Sequence, residues 1–354
     1  MLSFTTPPKK IAILRLSALG DCILLVPTIR RIQAYWPETE ITWIIEKQLH
    51  SLLKGVNGVN FYPIEKPKNW SDYKKLKSEL THHSFDILLA MQASLRANLI
   101  YPLIQAKIKI GFDKKRSRDF HGLFITHRIE AGEDHLLEAF QRFADFLQIP
   151  ATPPEWRITL PNTDCDWAAD QLHTPTENYK VIAINPAASK LERTAYAEFY
   201  AEIINKINQT TTALVILTGG PADWEIGLSN QIVEMCHTPP LNLVGKTSFR
   251  QIAALLAKSD LLIAPDTGPA HIANAYGTPV IGLYAVAPPK LSAPYLSQDL
   301  VINKFPQAVR EIQGVDPDKI PWGFRVHDRK AMTLFKSTEV LTLIERVLTE
   351  RDSE

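Results

Sequence analysis

The sequence predicts an α/β protein built from two doubly wound, Rossmann-like domains. Its 354 residues, 45% of them hydrophobic, are long for one compact domain and sufficient for two separate cores. Short β-rich runs alternate with stretches of helical periodicity along both halves of the chain. Between the halves, proline becomes dense in residues 149–161, which favours an extended connector. We therefore expect a first domain at residues 1–160, a second at 175–335 and a final segment at 336–354.

The first half opens with the apolar run IAILRL at residues 11–16. The run DCILLVPTIRRIQAYW follows at 21–36, and its apolar residues recur at helical spacing. The alternation continues with strands at 41–46, 59–64, 85–92 and 108–112 and helices near 71–83, 94–105 and 134–148. Strand–helix–strand order of this kind implies a parallel sheet covered on both faces.

The second half repeats the alternation without repeating the residues. Its strands are expected at 180–185, 213–220, 241–245, 260–265 and 279–284, and its helices at 196–208, 223–236 and 248–258. An amphipathic helix at 337–350 follows after enough chain to cross back over the first domain. Ligands of such folds bind at the carboxyl ends of the strands. We therefore expect two sheets that face a central cleft.

The composition excludes several classes of function. Lysine and arginine number 39 against 38 aspartate and glutamate, so the sequence indicates no nucleic-acid partner, and any basic site must be local. The cysteines, Cys22, Cys165 and Cys236, form no CxxC pair, which fits a reducing cytoplasm. Arg15 interrupts the first apolar run, and no uncharged apolar stretch approaches the ~20 residues of a membrane span. We expect a soluble, cytoplasmic protein that at most lies against a membrane.

The stretch PDTGPAHIANAYGTPVIGLY carries a strong local signal. It continues the predicted strand at 260–265 into a helix capped at Gly268, whose first N–H groups are free to bind an anion such as phosphate. Thr267 and His271 can add side-chain donors. Asp266 would repel a phosphate, so we expect it to accept from a hydroxyl or to orient a neighbour. The alternative is an ordinary capped strand–helix turn with a structural aspartate and histidine.

The stretch RLSALGD, residues 15–21, has the same strand–loop–helix setting in the first half. It is not a dinucleotide-binding GxGxxG motif, because Gly20 is its only glycine. Asp21 places a carboxylate at a helix start within the expected cleft. An anion at this position is stabilised by ~0.3–1 kcal/mol, so helix capping is the alternative to a catalytic role.

Four motifs together carry a resemblance to a known family: RLSALGDCILLVPTIR, INPAAS, LTGGPADWE and DTGPAHIANAYGTPVIGLY. In this order they resemble the ADP-heptose:lipopolysaccharide heptosyltransferases, glycosyltransferase family 9, over residues 11 to about 295. The resemblance implies a GT-B fold with the nucleotide-sugar donor on the second domain, the acceptor on the first, and the final helix returning to the first. It also implies heptose transfer from ADP-heptose to the Kdo-bearing lipid A inner core of lipopolysaccharide. Such an enzyme would be cytoplasmic and peripheral at the inner face of the inner membrane.

The resemblance assigns a catalytic residue. Asp21 matches the family's catalytic aspartate, which in an inverting mechanism removes a proton from the acceptor hydroxyl while ADP departs. One base suffices for a single displacement, and a positioned base typically contributes ~10²–10⁴-fold in rate. The charge that develops on the departing diphosphate calls for preorganised donors.

The donor site implied by the resemblance draws on both motif loops and on further segments of the second half. Arg193 falls where the family has a phosphate-contacting lysine or arginine, and Arg15 where a basic residue also reaches the donor. Glu225 falls where the family has an acid near the nucleoside, although helix-start charge is the alternative. Ala285 replaces a usual glycine, and the residues after Asn185 depart from the family's usual hydroxyls, which bears on donor identity. The predicted donor-binding residues are Arg15, Ser17, Gly20, Asn185, Ala187, Ser189, Arg193, Glu225, Asp266, Thr267, Gly268 and His271.

The stretch GFDKKRSRDFHGLF places clustered cations between phenylalanines. Such clusters attract anionic lipid headgroups at ~1 kcal/mol per charge, whereas the alternative is a solvated charged loop. The resemblance implies Kdo-lipid A as the polyanion, and the fork of an arginine suits its carboxylates and phosphates. His121 would add charge when protonated. The predicted acceptor-binding residues are Arg96, Lys114, Lys115, Arg116 and Arg118.

No metal and no other cofactor is expected. The stretches DCD at 164–166 and DPD at 316–318 look like the DxD of metal-dependent glycosyltransferases. Each falls in an expected connector, and GT-B members generally work without metal. His82 and His83 lack a third ligand at metal spacing. Two other functions stay open: transfer from a different nucleotide-sugar, and a non-catalytic lipid-surface protein of the same fold.

Overall fold

The computed structural model describes residues 6–173 and 179–351, which form two compact units that divide after Thr159. We call the part up to Thr159 unit 1 and the part from Leu160 unit 2. The portions of the predicted domains at 1–5, 174–178 and 352–354 lie outside the described residues.

Unit 1 is built around a parallel six-stranded sheet. Its elements are β1 (Lys10–Leu14), α1 (Leu19–Tyr35), β2 (Glu40–Glu46), α2 (Lys47–Leu53), β3 (Val59–Ile64), α3 (Trp70–Leu80), β4 (Ser84–Ala90), α4 (Leu95–Ile100), β5 (Gln105–Gly111), β6 (His127–Arg128) and α5 (Leu136–Phe146). The strand order is β3-β2-β1-β4-β5-β6. In this order the chain reverses its direction of progress between β1 and β4, which makes that gap the topological switch point of the sheet.

The centre of unit 1 is β1, which pairs with β2 and β4. Ile11 lies opposite Ile41 on one side and Ile87 on the other. All three isoleucines are buried, as expected for a central strand of a parallel sheet. Because β1 and β4 end at the same edge, the loops that follow them are neighbours.

The proline-dense segment after α5 is not an extended connector, as the sequence predicted, but part of unit 1. Trp156 is buried, and its indole N–H donates to the carbonyl of Ile23 in α1 at 3.0 Å. The N–H of Thr159 donates to the carbonyl of Gly55 at 2.9 Å. Large apolar side chains in this segment therefore pack on α1 in spite of the prolines around them.

Unit 2 has a second parallel six-stranded sheet. Its elements are α6 (Asn162–Gln171), β7 (Lys180–Ile184), α7 (Ala197–Thr210), β8 (Ala213–Leu217), α8 (Asp223–Met235), β9 (Leu241–Asn242), α9 (Phe249–Ala257), β10 (Leu261–Pro265), α10 (Gly268–Ala275), β11 (Val280–Tyr284), α11 (Pro289–Ser292), β12 (Val301–Asn303), α12 (Phe305–Gln313) and α13 (Ser337–Arg351). The strand order is β12-β11-β10-β7-β8-β9. Counted within the unit, this is the same order as in unit 1, so its switch point lies between β7 and β10.

The final helix, α13, packs within unit 2, against α7 and β11. This corrects the prediction that the final helix returns to the first domain. The physical reason is its apolar stripe, which completes the core of unit 2 and consists of Val340, Ile344, Val347 and Leu348. An ion pair at 3.1 Å between Arg351 and Asp260 fixes its end beside β10.

The DCD stretch lies in α6 rather than in a connector, which corrects the sequence interpretation. Asp164 occupies the first turn of α6, and its Oδ2 lies 3.1 Å from Nε of Arg250 in α9. The helix was missed because its apolar face is short. Within the described parts of the chain, we find no helix with the length and apolarity needed to cross a bilayer.

Candidate functional site

Arg15 and Asp21 form an ion pair in the turn between β1 and α1, at the switch point of unit 1. Oδ2 of Asp21 accepts from this guanidinium and, at 3.1 Å, from the N–H of Ala18. Both contacts use Oδ2, and Oδ1 makes no hydrogen bond with the described residues. The Asp21 side chain is 31% exposed. It therefore presents one carboxylate oxygen to a ligand at the carboxyl edge of the sheet.

The guanidinium of Arg15 is fixed by groups from elsewhere in unit 1. Its Nη1 donates to the carbonyl of Met91, just past β4, at 2.7 Å. Its Cζ lies 5.5 Å from the ring centre of Phe140 in α5. The Cys22 thiol lies beneath the turn, 3.8 Å from the carbonyl oxygen of Arg15, and burial raises the pKa of this thiol. Arg15 is thus a rigid support that holds Asp21 in one orientation.

In unit 2 the switch point carries two arginines around one aspartate. Nη1 of Arg193, in the loop after β7, lies 3.0 Å from Oδ2 of Asp266 and 3.3 Å from its carbonyl oxygen. Nη1 of Arg325 lies 3.8 Å from the same Oδ2. Of the two roles expected for Asp266, the structure shows the orientation of a neighbour. Two guanidinium groups therefore lie around one carboxylate oxygen.

The helix α10 begins directly after this cluster. Thr267 is its extended N-cap residue, and Gly268 and Pro269 begin the helix. The first N–H groups of a helix have no partner within it, and the helix dipole favours an anion there. His271 is buried in the same first turn. The helix terminus and the two guanidinium groups thus lie at the carboxyl edge of β10, an arrangement that could accept an anion.

Tyr284, the last residue of β11, lies next to the cluster. It is buried, and its hydroxyl donates to the carbonyl of Ser292 at 3.2 Å. Burial, reinforced by the nearby Asp266 carboxylate, raises the pKa of Tyr284 well above its ordinary value, so the phenol is neutral. Ala285, the next residue, is buried in the core of unit 2. Its methyl group therefore packs inward.

The loop after β7 and the turn after β8 complete this edge. Asn185 is buried, and its side chain donates to the carbonyl of Ala187 at 2.6 Å. These two predicted donor-binding residues therefore contact each other inside the loop. The third predicted residue of this loop, Ser189, is exposed. Oε2 of Glu225 accepts the N–H of Gly220 at 2.7 Å. A Cβ at Gly220 would lie 3.0 Å from Oε1 of Glu225, so a glycine permits this close turn.

Arg325 was not identified from the sequence. It lies in the stretch GFRVHDRK, outside any regular helix or strand. The N–H of Val326 donates to the carbonyl of Val286 at 2.9 Å, which brings Arg325 beside Asp266. This long-range pairing has no periodic signature, so the sequence offered no signal for it.

The predicted acceptor residues separate into exposed and buried groups. Arg96, Lys114, Lys115 and Arg118 are exposed at the carboxyl edge of unit 1. Arg96 also lines a groove of about 800 Å³ between the ends of β2 and β3 and the start of α3. Of the predicted residues near Asp21, Gly20 is buried and Ser17 is half-buried.

Arg116 is buried, unlike the other predicted acceptor residues. Its side chain is only 5% exposed and pairs with Asp113 and, at 3.0 Å, with Asp134. These contacts hold the loop after β5 against the start of α5. His121 is likewise buried, and burial lowers its pKa to about 4, so it does not supply the expected positive charge at neutral pH. Both side chains are held in the loop by contacts within unit 1.

Within the described residues, we find no group of three or more histidine, cysteine, aspartate or glutamate side chains arranged to hold a metal ion.

Comparison with known proteins relates this geometry to a family. The family model for glycosyltransferase family 9 (heptosyltransferase) matches residues 73–315. The chain is 37% identical over 331 residues to the lipopolysaccharide core heptosyltransferase OpsX of Haemophilus influenzae, covering 93% of this chain and 94% of that protein.

Solved structures share the architecture. The family 9 glycosyltransferase of Veillonella parvula has a TM-score of 0.79 at 20% identity, covering 97% of each chain. The E. coli heptosyltransferase WaaC with ADP has a TM-score of 0.73 at 19% identity, covering 96% of this chain and 99% of that one. These likenesses confirm the predicted GT-B class of two Rossmann-like units. The match of the family model, the identity to OpsX and the shared fold agree, and the chain belongs to glycosyltransferase family 9, the heptosyltransferases.

Proposed function

We propose that the protein transfers heptose from ADP-heptose to the Kdo-bearing lipid A inner core of lipopolysaccharide, with inversion and without a metal. The observation that carries this proposal is the positive charge of Arg193 and Arg325, which lie around Asp266 beside the N-terminus of α10. A diphosphate is the group in a nucleotide-sugar that this charge fits. The lipopolysaccharide relatives support the acceptor class.

The donor's diphosphate would bind against Arg193 and the first N–H groups of α10. Thr267 and His271 lie in that turn with hydrogen-bonding side chains. The nucleoside would lie toward the turn at Gly220, where Glu225 keeps one carboxylate oxygen, Oε1, outside its backbone contact. Asp266 holds Arg193 in place before the donor arrives, so the guanidinium group of Arg193 is preorganised.

Asp21 would act as the general base. Its Oδ1 accepts the proton of the acceptor hydroxyl as that oxygen bonds to the anomeric carbon of the donor. The bond between the anomeric carbon and the diphosphate oxygen breaks, and its electron pair leaves with ADP. Arg193 and Arg325 would offset the charge that develops on this leaving group. A single displacement of this kind inverts the anomeric configuration.

The acceptor would bind on unit 1, near the edge that carries Asp21. Arg96, Lys114, Lys115 and Arg118 are exposed cations for the carboxylates and phosphates of a Kdo-lipid A core. Such an acceptor is membrane-anchored, so we place the enzyme in the cytoplasm and peripherally at the inner face of the inner membrane.

The proposal is tested first by donor choice. Binding of ADP, UDP and GDP to the full chain is measured by calorimetry, and transfer from radiolabelled ADP-heptose to Kdo₂-lipid A is followed in parallel. We expect tight binding of ADP alone and label in the lipid product. Transfer from another nucleotide-sugar would overturn the donor assignment, and the absence of transfer from every donor would favour a binding protein without chemistry.

A further inference from the structure

We propose that unit 1 carries a membrane-insertion strip, formed by Trp70, Leu95, Phe120 and Leu123, that docks the protein on an anionic bilayer surface. Trp70, Phe120 and Leu123 are 73%, 77% and 78% exposed, and Leu95 is 55% exposed. Other large hydrophobic side chains that protrude from the described chain are at most 56% exposed. Apolar exposure of this extent is costly in water and marks a surface that is covered in use.

Contacts bring together the segments that carry these side chains. The ring centres of Trp70 and Tyr73 lie 5.8 Å apart, and the Tyr73 hydroxyl lies 3.4 Å from the carbonyl oxygen of Arg96, the neighbour of Leu95. The N–H of Leu95 donates to Oδ2 of Asp119 at 2.9 Å, directly before Phe120. The starts of α3 and α4 and the tip of the loop after β5 are therefore adjacent.

The tip that bears Phe120 is held in an unfavourable conformation. Asp119 and Phe120 both have positive φ, at 52° and 63°, which is uncommon for residues with side chains. The buried amide of Asn98 donates to the carbonyls of Arg118 and Asp119 at 3.1 and 2.8 Å, and His121 contacts the same amide at 2.8 Å. Buried groups thus rigidly hold an exposed apolar ring in place, which supports a function for that ring.

The charged side chains around the strip indicate which kind of surface it binds. Five exposed cations flank it, and none of them forms an ion pair with another described residue: Lys68, Lys74, Arg96, Lys114 and Arg118. Two carboxylates also lie near the strip, and they accept backbone N–H groups: Asp72 that of Lys68 at 2.7 Å and Asp119 that of Leu95 at 2.9 Å. The five cations outnumber these two acids. Apolar side chains ringed by unpaired cations fit the interface of an anionic leaflet, where rings enter the headgroup boundary and cations bind phosphates.

The strip lies at the edge of unit 1 that also carries Asp21. The strip follows the carboxyl ends of β3, β4 and β5, the same edge of the sheet at which Asp21 lies. A lipid-anchored acceptor would be presented at this edge when the strip is inserted. The role of the strip in presenting the acceptor rests on the proposed function, whereas docking of the protein on the bilayer does not.

The test uses the full chain and co-sedimentation with vesicles of phosphatidylcholine, with or without phosphatidylglycerol. We expect the double variant Phe120→Ala/Leu123→Ala to lower partitioning onto anionic vesicles ~10–100-fold, because two apolar side chains lose their burial in the interface. Lys68→Gln/Lys74→Gln should lower it ~10-fold on anionic vesicles and leave binding to neutral vesicles unchanged. Tyr35→Ala is the matched control, because Tyr35 is 49% exposed at the far end of α1, away from the strip.

Two readouts keep docking and catalysis distinct. Transfer to a deacylated, water-soluble acceptor should be unchanged in Phe120→Ala/Leu123→Ala. The proposal that the strip docks on the bilayer would be wrong if this variant partitioned onto vesicles as well as wild type does. It would also be wrong if Tyr35→Ala lost as much partitioning as this variant. Vesicle binding that depends on the strip, in a protein that transfers no sugar, would sustain the strip and refute the proposed function.

Discussion

The turns at the two switch points use the same pair of residue types in different proportions. In unit 1, one arginine supports one aspartate, and the acid keeps one exposed oxygen. In unit 2, two arginines surround Asp266, which is only 14% exposed. This difference fits the two roles that we propose: a proton acceptor at the first turn and an anion site at the second.

The largest effect is expected at the acid of unit 1. Asp21→Asn keeps the size of the side chain and removes its basicity, so kcat should fall ~10²–10⁴-fold. Steady-state transfer from ADP-heptose measures this. The matched control is Asp72→Asn, since Asp72 lies in the first turn of α3 and also accepts backbone N–H groups. Equal losses of activity in both variants would reduce Asp21 to a helix cap.

A smaller effect is expected at the better-placed arginine of unit 2. Arg193→Ala removes charge-assisted hydrogen bonds to the diphosphate, so the KM for the donor should rise ~10–100-fold. The variant also leaves Asp266 with Arg325 alone. Arg193→Lys should recover part of the affinity for the donor. Lysine restores the positive charge but lacks the planar guanidinium group that can bind two oxygens at once. Donor titrations that give a wild-type KM for Arg193→Ala would remove Arg193 from the anion site.

The second arginine should matter less. Arg325 lies 3.8 Å from Asp266, and its side chain is 33% exposed, so Arg325→Ala should raise the KM for the donor only ~3–10-fold. Arg310 in α12 is exposed and serves as the control, with Arg310→Ala expected to behave as wild type. An Arg325→Ala effect as large as that of Arg193→Ala would show that the two arginines act as a unit.

The smallest effect is expected from chelation. If the arginines of unit 2 supply the positive charge for the leaving group, EDTA should leave turnover unchanged. Loss of turnover that Mn²⁺ restores would show that a metal shares this role. The assay needs metal-free buffer throughout, with an unrelated metal-dependent transferase as a positive control for chelation.

The switch-point turns were predictable because their signals are local. A buried strand followed by a small-residue loop and a helix identified both Asp21 and Asp266 without knowledge of the fold. The same local logic found the central strands of both sheets. Short edge strands such as β6 and β12, of two and three residues, leave no comparable pattern.

The features that the sequence did not predict depend on contacts between residues that are distant in the sequence. Arg116 seemed available for an acceptor because Asp134, with which it pairs, lies in a different segment. Arg325 depends on the backbone contact between Val326 and Val286, which no periodicity indicates. The placement of α13 depended on which core would take its apolar stripe. In each case tertiary packing, and not local preference, decided the outcome.

The buried thiol beneath the Asp21 turn has a practical consequence for spectroscopy. Cys22 is fully buried, and burial raises its pKa, so maleimide reagents will react slowly there. Cys165 and Cys236 are partly exposed and both belong to unit 2. Fluorophores introduced through native thiols will therefore report on unit 2 alone, and a dye on unit 1 requires an engineered cysteine.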